Sequence, residues 1–431
     1  MKKLIYPSQS EIDKIIVRPS EGGSEIDRKV REIIRRVKDE GDEALRSFSE
    51  RFDGTSPVSL RVDEAEVKNA SAGIPEDLKK AVRSAAASIE AFHAAGFAEP
   101  VVTETLLGVR CWSRDTAIEK VGLYVPCGTA PLFSTVLMLA IPARLAGCRE
   151  VIMCTPPGAD GTINPLILYA ASVSGVSAVF SVGGAQAIAA MAYGTESVPS
   201  VFKIFGPGNR YVTRAKELVQ LDGVTIDMPA GPSELMVIAD ESANPAFIAA
   251  DLLSQAEHGT DSQVFMLTSD DTLIDRVEKE IEHQLPLLER KDIAVETLRN
   301  SSLILLADID QCISVSNRYA PEHLIIATRD PNKDSSGVIN AGSVFLGHYS
   351  SESAGDYMSG PNHTLPTGGH ARSLSGISVT SFMKKIFFQE VTDSGILKIG
   401  PDTEILARAE MLTGHANAIS VRLKCLRDEE N

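Results

Sequence analysis

From residue 122 onward, short apolar runs alternate with longer stretches of helical spacing. The first runs cover 123–125, 151–153, 178–180 and 203–205, and the pattern resumes at 234–239, 263–268, 303–306, 323–327 and 343–346. Each run is almost entirely apolar, as in strands of a parallel sheet that helices cover on both faces. The alternation predicts two Rossmann-like, doubly wound α/β domains, with one sheet around 124–234 and a second around 235–377.

The N-terminal part of the chain is patterned differently. Helical spacing runs over 24–52 with an interruption at Gly41, and again over about 64–95. Two strand-like runs, 109–113 and 118–122, flank a turn. We expect the N-terminal helices to pack onto the second sheet, and a last helical stretch at 404–426 to lie in a C-terminal tail.

These patterns define the predicted domain boundaries. A small N-terminal arm covers 1–22 and ends at the Pro-Ser-Glu-Gly-Gly break of 19–23; a discontinuous α/β domain covers 23–123 plus 235–377; a second covers 124–234; and a helical C-terminal tail covers 378–431. The largest irregular segment lies between 347 and 378 and is rich in Gly, Ser, Pro and His. Long loops in compact domains are usually functional.

Charge and cysteine content narrow the class of protein. The 431 residues carry 58 acidic and 42 basic side chains, a net charge of −16. Such a balance argues against a nucleic-acid or anionic-membrane partner and favours small-molecule metabolism. The six cysteines form no CxxC pair, and the chain has neither a signal-peptide core nor an apolar run of membrane-spanning length. We therefore expect a cytoplasmic protein.

A polar pair closes the predicted helix at 244–255. Gln255 and His258 are three residues apart and share a face, and Gly259 supplies a stop signal. The pair offers an oxygen and a nitrogen to a metal, to a substrate or to each other. Its spacing alone favours an ordinary polar helix end over a binding site.

Three glycine-containing turns follow predicted strands, at 126–130, 183–186 and 206–209. Backbone amides and helix N-termini at such turns bind phosphates without needing net positive charge. None of the turns is a G-x-G-x-x-G fingerprint or a P-loop, so each alone is explained by tight packing. Three turns at the carboxyl ends of strands in one sheet favour nucleotide binding there.

Adjacent Glu322 and His323 precede an apolar strand, where they are either an acid/base pair or an ordinary polar pair at its start. A metal would need a set such as Gln255, His258, Asp356 and His415, but HExxH and paired CxxC signatures are absent. From spacing alone this set is one of several possible groupings of the eight histidines.

Eight segments, taken together, resemble the histidinol dehydrogenase family. They are 124–126 (Tyr-Val-Pro), 183–187 (Gly-Gly-Ala-Gln-Ala), 205–209 (Phe-Gly-Pro-Gly-Asn), 227–234 (Asp-Met-Pro-Ala-Gly-Pro-Ser-Glu), 254–259 (Ser-Gln-Ala-Glu-His-Gly), 321–324 (Pro-Glu-His-Leu), 352–357 (Glu-Ser-Ala-Gly-Asp-Tyr) and 360–363 (Gly-Pro-Asn-His). The matches keep the family's order from about residue 25 to 425.

The resemblance implies a homodimer that oxidises L-histidinol to L-histidine with two NAD and one zinc ion per active site. The tail 378–431 would make the intertwined dimer contact, and 124–234 would lie on the NAD side. The implied zinc ligands are Gln255, His258, Asp356 and, from the partner subunit, His415. The implied NAD contacts are Tyr124, Gln186 and Asn209, and the implied substrate contacts are Ser233, His323, His363 and Glu410 together with the zinc ligands.

The implied mechanism assigns two proton-handling residues. His323 takes the hydroxyl proton as hydride leaves, and Glu322 activates the water that hydrates the aldehyde between the two oxidations. The 347–377 loop and a neighbouring subunit would close the site. One departure from the family pattern is Cys127, where glycine is usual in the first turn.

Overall fold

The structure is a computed structural model, and it describes residues 1–18, 23–55, 57, 59–97, 99–127, 131–229 and 231–429. The break at 19–22, the turn residues 128–130 and residue 230 therefore lie outside the described residues. The chain divides into two compact units. The first comprises Met1–Gly96 and Ile118–Phe382, and the second comprises Phe97–Ala117 and Met383–Asn431.

The first unit contains a five-stranded sheet in the strand order β6-β5-β4-β7-β8, with every pairing parallel. Its elements are β4 Lys120–Tyr124, α6 Phe133–Ala146, β5 Glu150–Thr155, α7 Pro165–Ser174, β6 Ala178–Ser181, α8 Gly184–Tyr193, β7 Lys203–Phe205, α9 Arg210–Val219 and β8 Thr225–Ile226. The chain moves outward in one direction from β4 to β6 and in the other from β7, so the order reverses between β4 and β7. Ligands of open α/β sheets bind at such a reversal.

The first unit also contains a six-stranded parallel sheet in the order β1-β11-β10-β9-β12-β13. Its strands and helices are β1 Lys2–Ile5, α1 Gln9–Ile15, β9 Glu234–Ala239, α10 Pro245–Ala256, β10 Gln263–Thr268, α11 Asp271–Gln284, α12 Lys291–Arg299, β11 Ser302–Leu305, α13 Ile309–Tyr319, β12 His323–Ala327, α14 Pro331–Asp334, β13 Ser343–Leu346 and α15 Glu352–Tyr357. Helices α10, α11 and α12 bury one face of the sheet, and α1 and α13 bury the other. The predicted α/β class with parallel sheets is confirmed.

The N-terminal helices are α2 Gly23–Glu40, α3 Asp42–Phe52, α4 Glu64–Asn69 and α5 Glu76–Ala94. The predicted break at Gly41 is confirmed, but the predicted packing partner is wrong. The apolar stripe of α2 and α3 packs on α8 and α9 of the five-stranded sheet, in one core that includes Val30, Leu45 and Phe180. The Asp42 carboxylate also accepts hydrogen bonds from Thr195 and Ser197. An apolar stripe predicts that a helix face is buried but does not identify the surface that buries it.

The second unit is a small antiparallel sheet with two helices: β2 Thr103–Leu106, β3 Val109–Ala117, β14 Met383–Val391, α16 Asp393–Ala409 and α17 Thr413–Glu429. The expectation of a helical tail from 378 is corrected here, because the segment contains β14, which pairs with β3 along nine residues. The partner strand is some 270 residues away in sequence, so local spacing carried no signal of it. Within the described ranges, no helix combines the length and apolarity that crossing a membrane requires.

Candidate active site

Glu322, His323 and Ser233 lie at the amino ends of neighbouring parallel strands. Glu322 directly precedes β12, His323 is its first residue, and Ser233 directly precedes the adjacent β9. Gln255 is in the last turn of α10, and His258 follows the helix. A helix that runs antiparallel to the strands returns to their amino ends, so helix end and strand starts meet at one edge. We call this edge of the six-stranded sheet the amino edge.

The His323 ring is the centre of the amino edge and is 4% exposed. Its Nδ1 lies 3.0 Å from Gln255 Oε1 and 3.7 Å from Glu352 Oε1, and its Nε2 lies 3.8 Å from Asp356 Oδ1. Burial, with smaller effects of His258 and His363, lowers the pKa of His323 to about 3, so the ring is neutral at pH 7. An amide oxygen only accepts, so the ring proton sits on Nδ1 and the Nε2 lone pair is available as a base.

Glu322 is a buried carboxyl group beside this ring. Its Oε2 lies 3.8 Å from His323 Nδ1 and accepts a hydrogen bond of 2.9 Å from the backbone N–H of Glu234. Burial raises the pKa of Glu322 well above its ordinary value, and the negative charges of Glu234 and Asp356 raise it further, while that hydrogen bond opposes the shift. The sequence-predicted pair is therefore one neutral base beside one strongly perturbed acid, which is typical of functional sites.

Three side chains at the amino edge form a compact donor cluster. The ligand atoms of His258, Glu352 and Asp356 lie within 4.8 Å of one another. Glu352 and Asp356 are four residues apart on α15, so they project from one face of the helix. Sequence reasoning placed His258 and Asp356 here but missed Glu352. The available signal was this i, i+4 spacing inside a segment already matched to the family.

The donor cluster fits a divalent cation. Burial raises the pKa of Asp356 to about 6 and that of Glu352 well above its ordinary value. Glu352 Oε2 and His323 Nε2 are buried, can each offer a lone pair, and have no hydrogen-bond partner among the described residues. Buried oxygen and nitrogen donors without partners are costly unless a ligand or ion engages them. Carboxylate and imidazole ligands suit zinc.

His363 connects the amino edge to the five-stranded sheet. Its Nδ1 donates to the backbone oxygen of Asp356 at 3.1 Å, and its Nε2 accepts from the Thr135 hydroxyl at 3.3 Å. Thr135 is in the first turn of α6, and the neighbouring Asn362 donates to Met138 of the same helix at 2.5 Å. Burial lowers the pKa of His363 to about 4. The irregular segment is thus fixed against the helix that follows β4.

The predicted NAD contacts occupy the carboxyl ends of β4, β6 and β7, which we call the carboxyl edge. Tyr124 ends β4, and its hydroxyl accepts the N–H of Gly184 at 3.1 Å. Gln186 is in the first turn of α8 and is 1% exposed, and neither polar atom of its side chain has a partner in the described part of the chain. Asn209 is exposed and caps α9, accepting from the N–H groups of Tyr211 and Val212.

The turn before Asn209 is tightly held where the strand order reverses. Gly206 has φ +125°, and a Cβ there would lie 2.0 Å from the backbone oxygen of Tyr124, so the two strands approach as closely as a glycine allows. The Gly206 N–H donates to Asp227 at 2.7 Å and its carbonyl accepts from Lys216 at 2.8 Å. Lys216 and Asp227 form an ion pair whose side chains are 1% and 0% exposed.

Glu410 and His415 are the two predicted site residues of the second unit. Glu410 caps the end of α16, His415 is in the first turn of α17, and both are exposed. The predicted substrate contact of Glu410 and the predicted zinc-ligand role of His415 in a partner subunit both stay predictions.

Comparisons with known proteins agree on one family. A family model described as histidinol dehydrogenase matches residues 16–423. The chain is 54% identical over 427 residues to a histidinol dehydrogenase of Bacteroides fragilis (strain YCH46), covering 99% of this chain and 100% of that protein. It is 55% identical over 392 residues to one of Xanthomonas euvesicatoria pv. vesicatoria (strain 85-10), covering 91% of each. A crystal structure of histidinol dehydrogenase from Elizabethkingia anophelis superposes with a TM-score of 0.97 at 50% identity, covering 99% of each chain.

Proposed function

The chain belongs to the histidinol dehydrogenase family, and from that premise we propose how its site performs the reaction. The protein is an oxidoreductase of the final steps of histidine biosynthesis, in which L-histidinol is oxidised through L-histidinal to L-histidine. The proposal concerns the cofactors, one zinc ion per site and two NAD per turnover, and the work of individual residues. The observation that carries it is the neutral His323 beside a donor cluster that includes the buried Glu352 carboxyl group.

Zinc would be held by Gln255, His258 and Asp356, with His415 of the partner subunit completing the set, and Glu352 is close enough to take part. When bound, zinc supplies a template for the nitrogens of histidinol, and NAD supplies the hydride acceptor. A templating metal tolerates an amide ligand because no strongly activated metal-bound water is required. Ser233, His363 and Glu410 would contact the substrate.

His323 performs the first proton transfer. Its neutral Nε2 points toward the donor cluster and takes the hydroxyl proton of histidinol, while the Nδ1–H bond to Gln255 fixes the ring orientation. Once it has lost that proton, the same nitrogen serves again when the hydrated aldehyde loses its hydroxyl proton in the second oxidation.

Glu322 performs the hydration step. The aldehyde must add water before a second hydride can leave, and this addition needs a base for the water. Glu322 is held by the Glu234 N–H within 4 Å of His323, and the raised pKa of its carboxyl group makes it, when ionised, a stronger base for water than an exposed carboxylate. The two residues therefore divide the proton transfers, with His323 acting on hydroxyl groups of the substrate and Glu322 on water.

NAD would lie along the carboxyl edge, on Tyr124, Gln186 and Asn209. The N-termini of α8 and α9 present backbone N–H groups there to the cofactor's phosphates. The exposed apolar side chains of the second unit, such as Phe387 at 80% and Ile405 at 65%, support a homodimer with the C-terminal segment intertwined. The cytoplasmic location inferred from the cysteines stays a prediction.

The test is the stoichiometry of the purified, zinc-loaded protein. We expect two NADH, measured at about 340 nm, for each histidine formed from histidinol, because the two half-reactions each transfer one hydride. Removal of zinc by a chelator should abolish activity, and zinc addition should restore it. A metal-loaded protein that makes no NADH from histidinol would contradict the assignment.

A further inference from the structure

The guanidinium group of Arg18, at the end of the N-terminal segment (residues 1–18), makes two sets of contacts. Its Nε and Nη2 donate to the Glu234 carboxylate at 2.5 and 2.7 Å. Its Nη2 also donates to the backbone oxygen of Tyr319 at 2.8 Å and to that of Ala320 at 3.3 Å. The group stacks on the Tyr319 ring, 4.0 Å from the centroid. A planar fork that binds a carboxylate with two donors holds it in one orientation.

Both sets of contacts lead to Glu322. Glu234 provides the backbone N–H that holds Glu322 Oε2. Tyr319 and Ala320 form the turn that delivers the chain to Glu322, and Ala320 has φ +56°, a left-handed conformation that costs free energy in a residue with a Cβ. The Arg18 guanidinium group therefore holds two features in place. One is Glu234, whose N–H binds the Glu322 side chain, and the other is the strained turn that precedes Glu322 in the chain.

The ion pair between Arg18 and Glu234 is shielded from solvent, so its loss should disturb the residues around it. The Arg18 and Glu234 side chains are 22% and 3% exposed. Glu234 Oε1 also accepts the N–H of Gly368, which anchors the irregular segment at the same point. Removing Arg18 leaves a buried carboxylate without its cation, so β9 and the 319–321 turn must adjust around it.

We propose that Arg18 is a positioning residue for Glu322, and this inference rests on the proposed role of Glu322 as the base for water. Arg18 touches no reacting atom and acts through Glu234 and the turn. A misplaced Glu322 slows hydration of the aldehyde and leaves the first oxidation, which uses His323, nearly unchanged. The structure thereby assigns the N-terminal segment a part in the second half-reaction.

The experiment compares Arg18→Met, Arg18→Lys and Glu322→Gln in the zinc-loaded protein, with histidinol and histidinal each as substrate. For Arg18→Met we expect kcat with histidinal to fall about 10- to 100-fold, the scale of a displacement of about 1 Å, and the first oxidation to change less than about 3-fold. Arg18→Lys keeps the charge but not the fork, so its loss should be intermediate. Combining Arg18→Met with Glu322→Gln should add little to Glu322→Gln alone.

Arg318→Met is the matched control. Arg318 pairs with Asp13 of α1 and so also joins the N-terminal segment to α13, without a hydrogen bond to Glu234 or to the turn. It should leave both half-reactions unchanged, and urea midpoints should show that every variant is folded. Three outcomes would overturn the role of Arg18 and leave that of Glu322 standing. They are equal losses in both half-reactions, a loss that adds to that of Glu322→Gln, and the same loss in Arg318→Met. A Glu322→Gln variant with an intact second oxidation overturns the proposed role of Glu322 as well. If Arg18→Met does not fold, the half-reaction ratio of Arg18→Lys decides.

Discussion

Glu322 and His323 are neighbours in sequence and share one buried environment, yet burial shifts their pKa values in opposite directions. A carboxyl group becomes neutral by keeping a proton, so its pKa rises; an imidazole becomes neutral by losing one, so its pKa falls. The same desolvation thus leaves the His323 ring neutral and strengthens the hold of the Glu322 carboxyl group on its proton. The difference in the direction of the shift comes from the type of group, not from two different pockets.

Glu322→Gln tests this division of labour. Glutamine keeps the hydrogen bond from the Glu234 N–H but cannot take a proton, so we expect oxidation of histidinal to fall at least about 100-fold, within the range that general bases contribute. Oxidation of histidinol to the aldehyde should fall only a few-fold, and trapped aldehyde should accumulate. His323→Asn, in contrast, should damage both steps. Equal damage to both steps in Glu322→Gln would remove the hydration role.

Zinc binding should release protons from the donor cluster. His258 has a lowered pKa through burial, opposed by Asp356, whereas the pKa of Asp356 is raised to about 6. Below pH 6, Asp356 must lose a proton before it can bind a cation, so zinc affinity should rise as the pH increases through this value. Calorimetry of the chelator-treated protein in two buffers of different ionisation enthalpy measures the release. A binding enthalpy independent of buffer at pH 5.5 would contradict the assignment of Asp356.

Strand order and helix direction bring the site together at the level of elements. The carboxyl edge of the five-stranded sheet carries the turn at Gly206, which the buried pair Lys216 and Asp227 holds at both its N–H and its carbonyl. Lys216 is on α9, which begins at that turn. The pair therefore ties the helix to the end of β7, which Asn209, one of the predicted NAD contacts, follows.

Lys216→Met should destabilise the protein and weaken NAD binding. Breaking a buried ion pair by removing one partner costs about 3–5 kcal/mol, because the remaining charge is uncompensated. We expect that loss in urea denaturation, with a larger rise in KM for NAD than for histidinol. Lys38→Met is the control, since the Lys38–Asp222 pair is 41% and 47% exposed and should contribute less than about 1 kcal/mol. A Lys216→Met variant as stable as the control would show that the pair does not hold the turn.

How far the sequence predicted these elements depended on whether the signal was local. The caps and spacing of α10 are local, so its range was predicted within a residue at each end, and the parallel sheets followed from apolar runs. The pairing of β14 with β3 and the packing of α2 on α8 depend on distant partners, so both were missed. Glu352 was missed because a carboxylate beside a serine is unremarkable until α15 is seen to face His258. The ligand set itself came from family resemblance, since spacing left several groupings of histidines open.

For the molecule as a whole, His93 offers a clean measure of one contribution to the pH dependence of stability. His93 lies on α5, is 2% exposed, and burial lowers its pKa to about 4. Between about pH 6.5 and 4 the unfolded chain binds a proton at this residue that the folded protein does not. The contribution of His93 to the free energy of unfolding is therefore fully present above pH 6.5. It is lost as the pH falls toward 4, and the loss is at most about 3 kcal/mol.

His93→Gln should therefore flatten the acid side of the stability profile. Urea midpoints from pH 7.5 to 4.5 should fall less steeply than in the parent protein. The pH dependence of the free energy of unfolding should differ from that of the parent by up to the slope that the uptake of one proton contributes. His283→Gln is the control, because the His283 side chain is 79% exposed. Parallel profiles for His93→Gln and the parent would show that His93 is charged in the folded state at low pH.

The opposite polarity of the two edges also bears on how a chain of net charge −16 could accommodate the proposed cation and the proposed anionic cofactor. Helix α10 ends at the donor cluster, where its partial negative charge would favour the proposed cation; α8 and α9 begin at the carboxyl edge, where their partial positive charge would favour the phosphates of the proposed cofactor. Backbone direction therefore adds to the carboxylates of the donor cluster in favouring a cation there, and it favours an anion at the carboxyl edge. The surface can then stay acidic, because the attraction for phosphates would be confined to the few ångströms around the N-termini of α8 and α9.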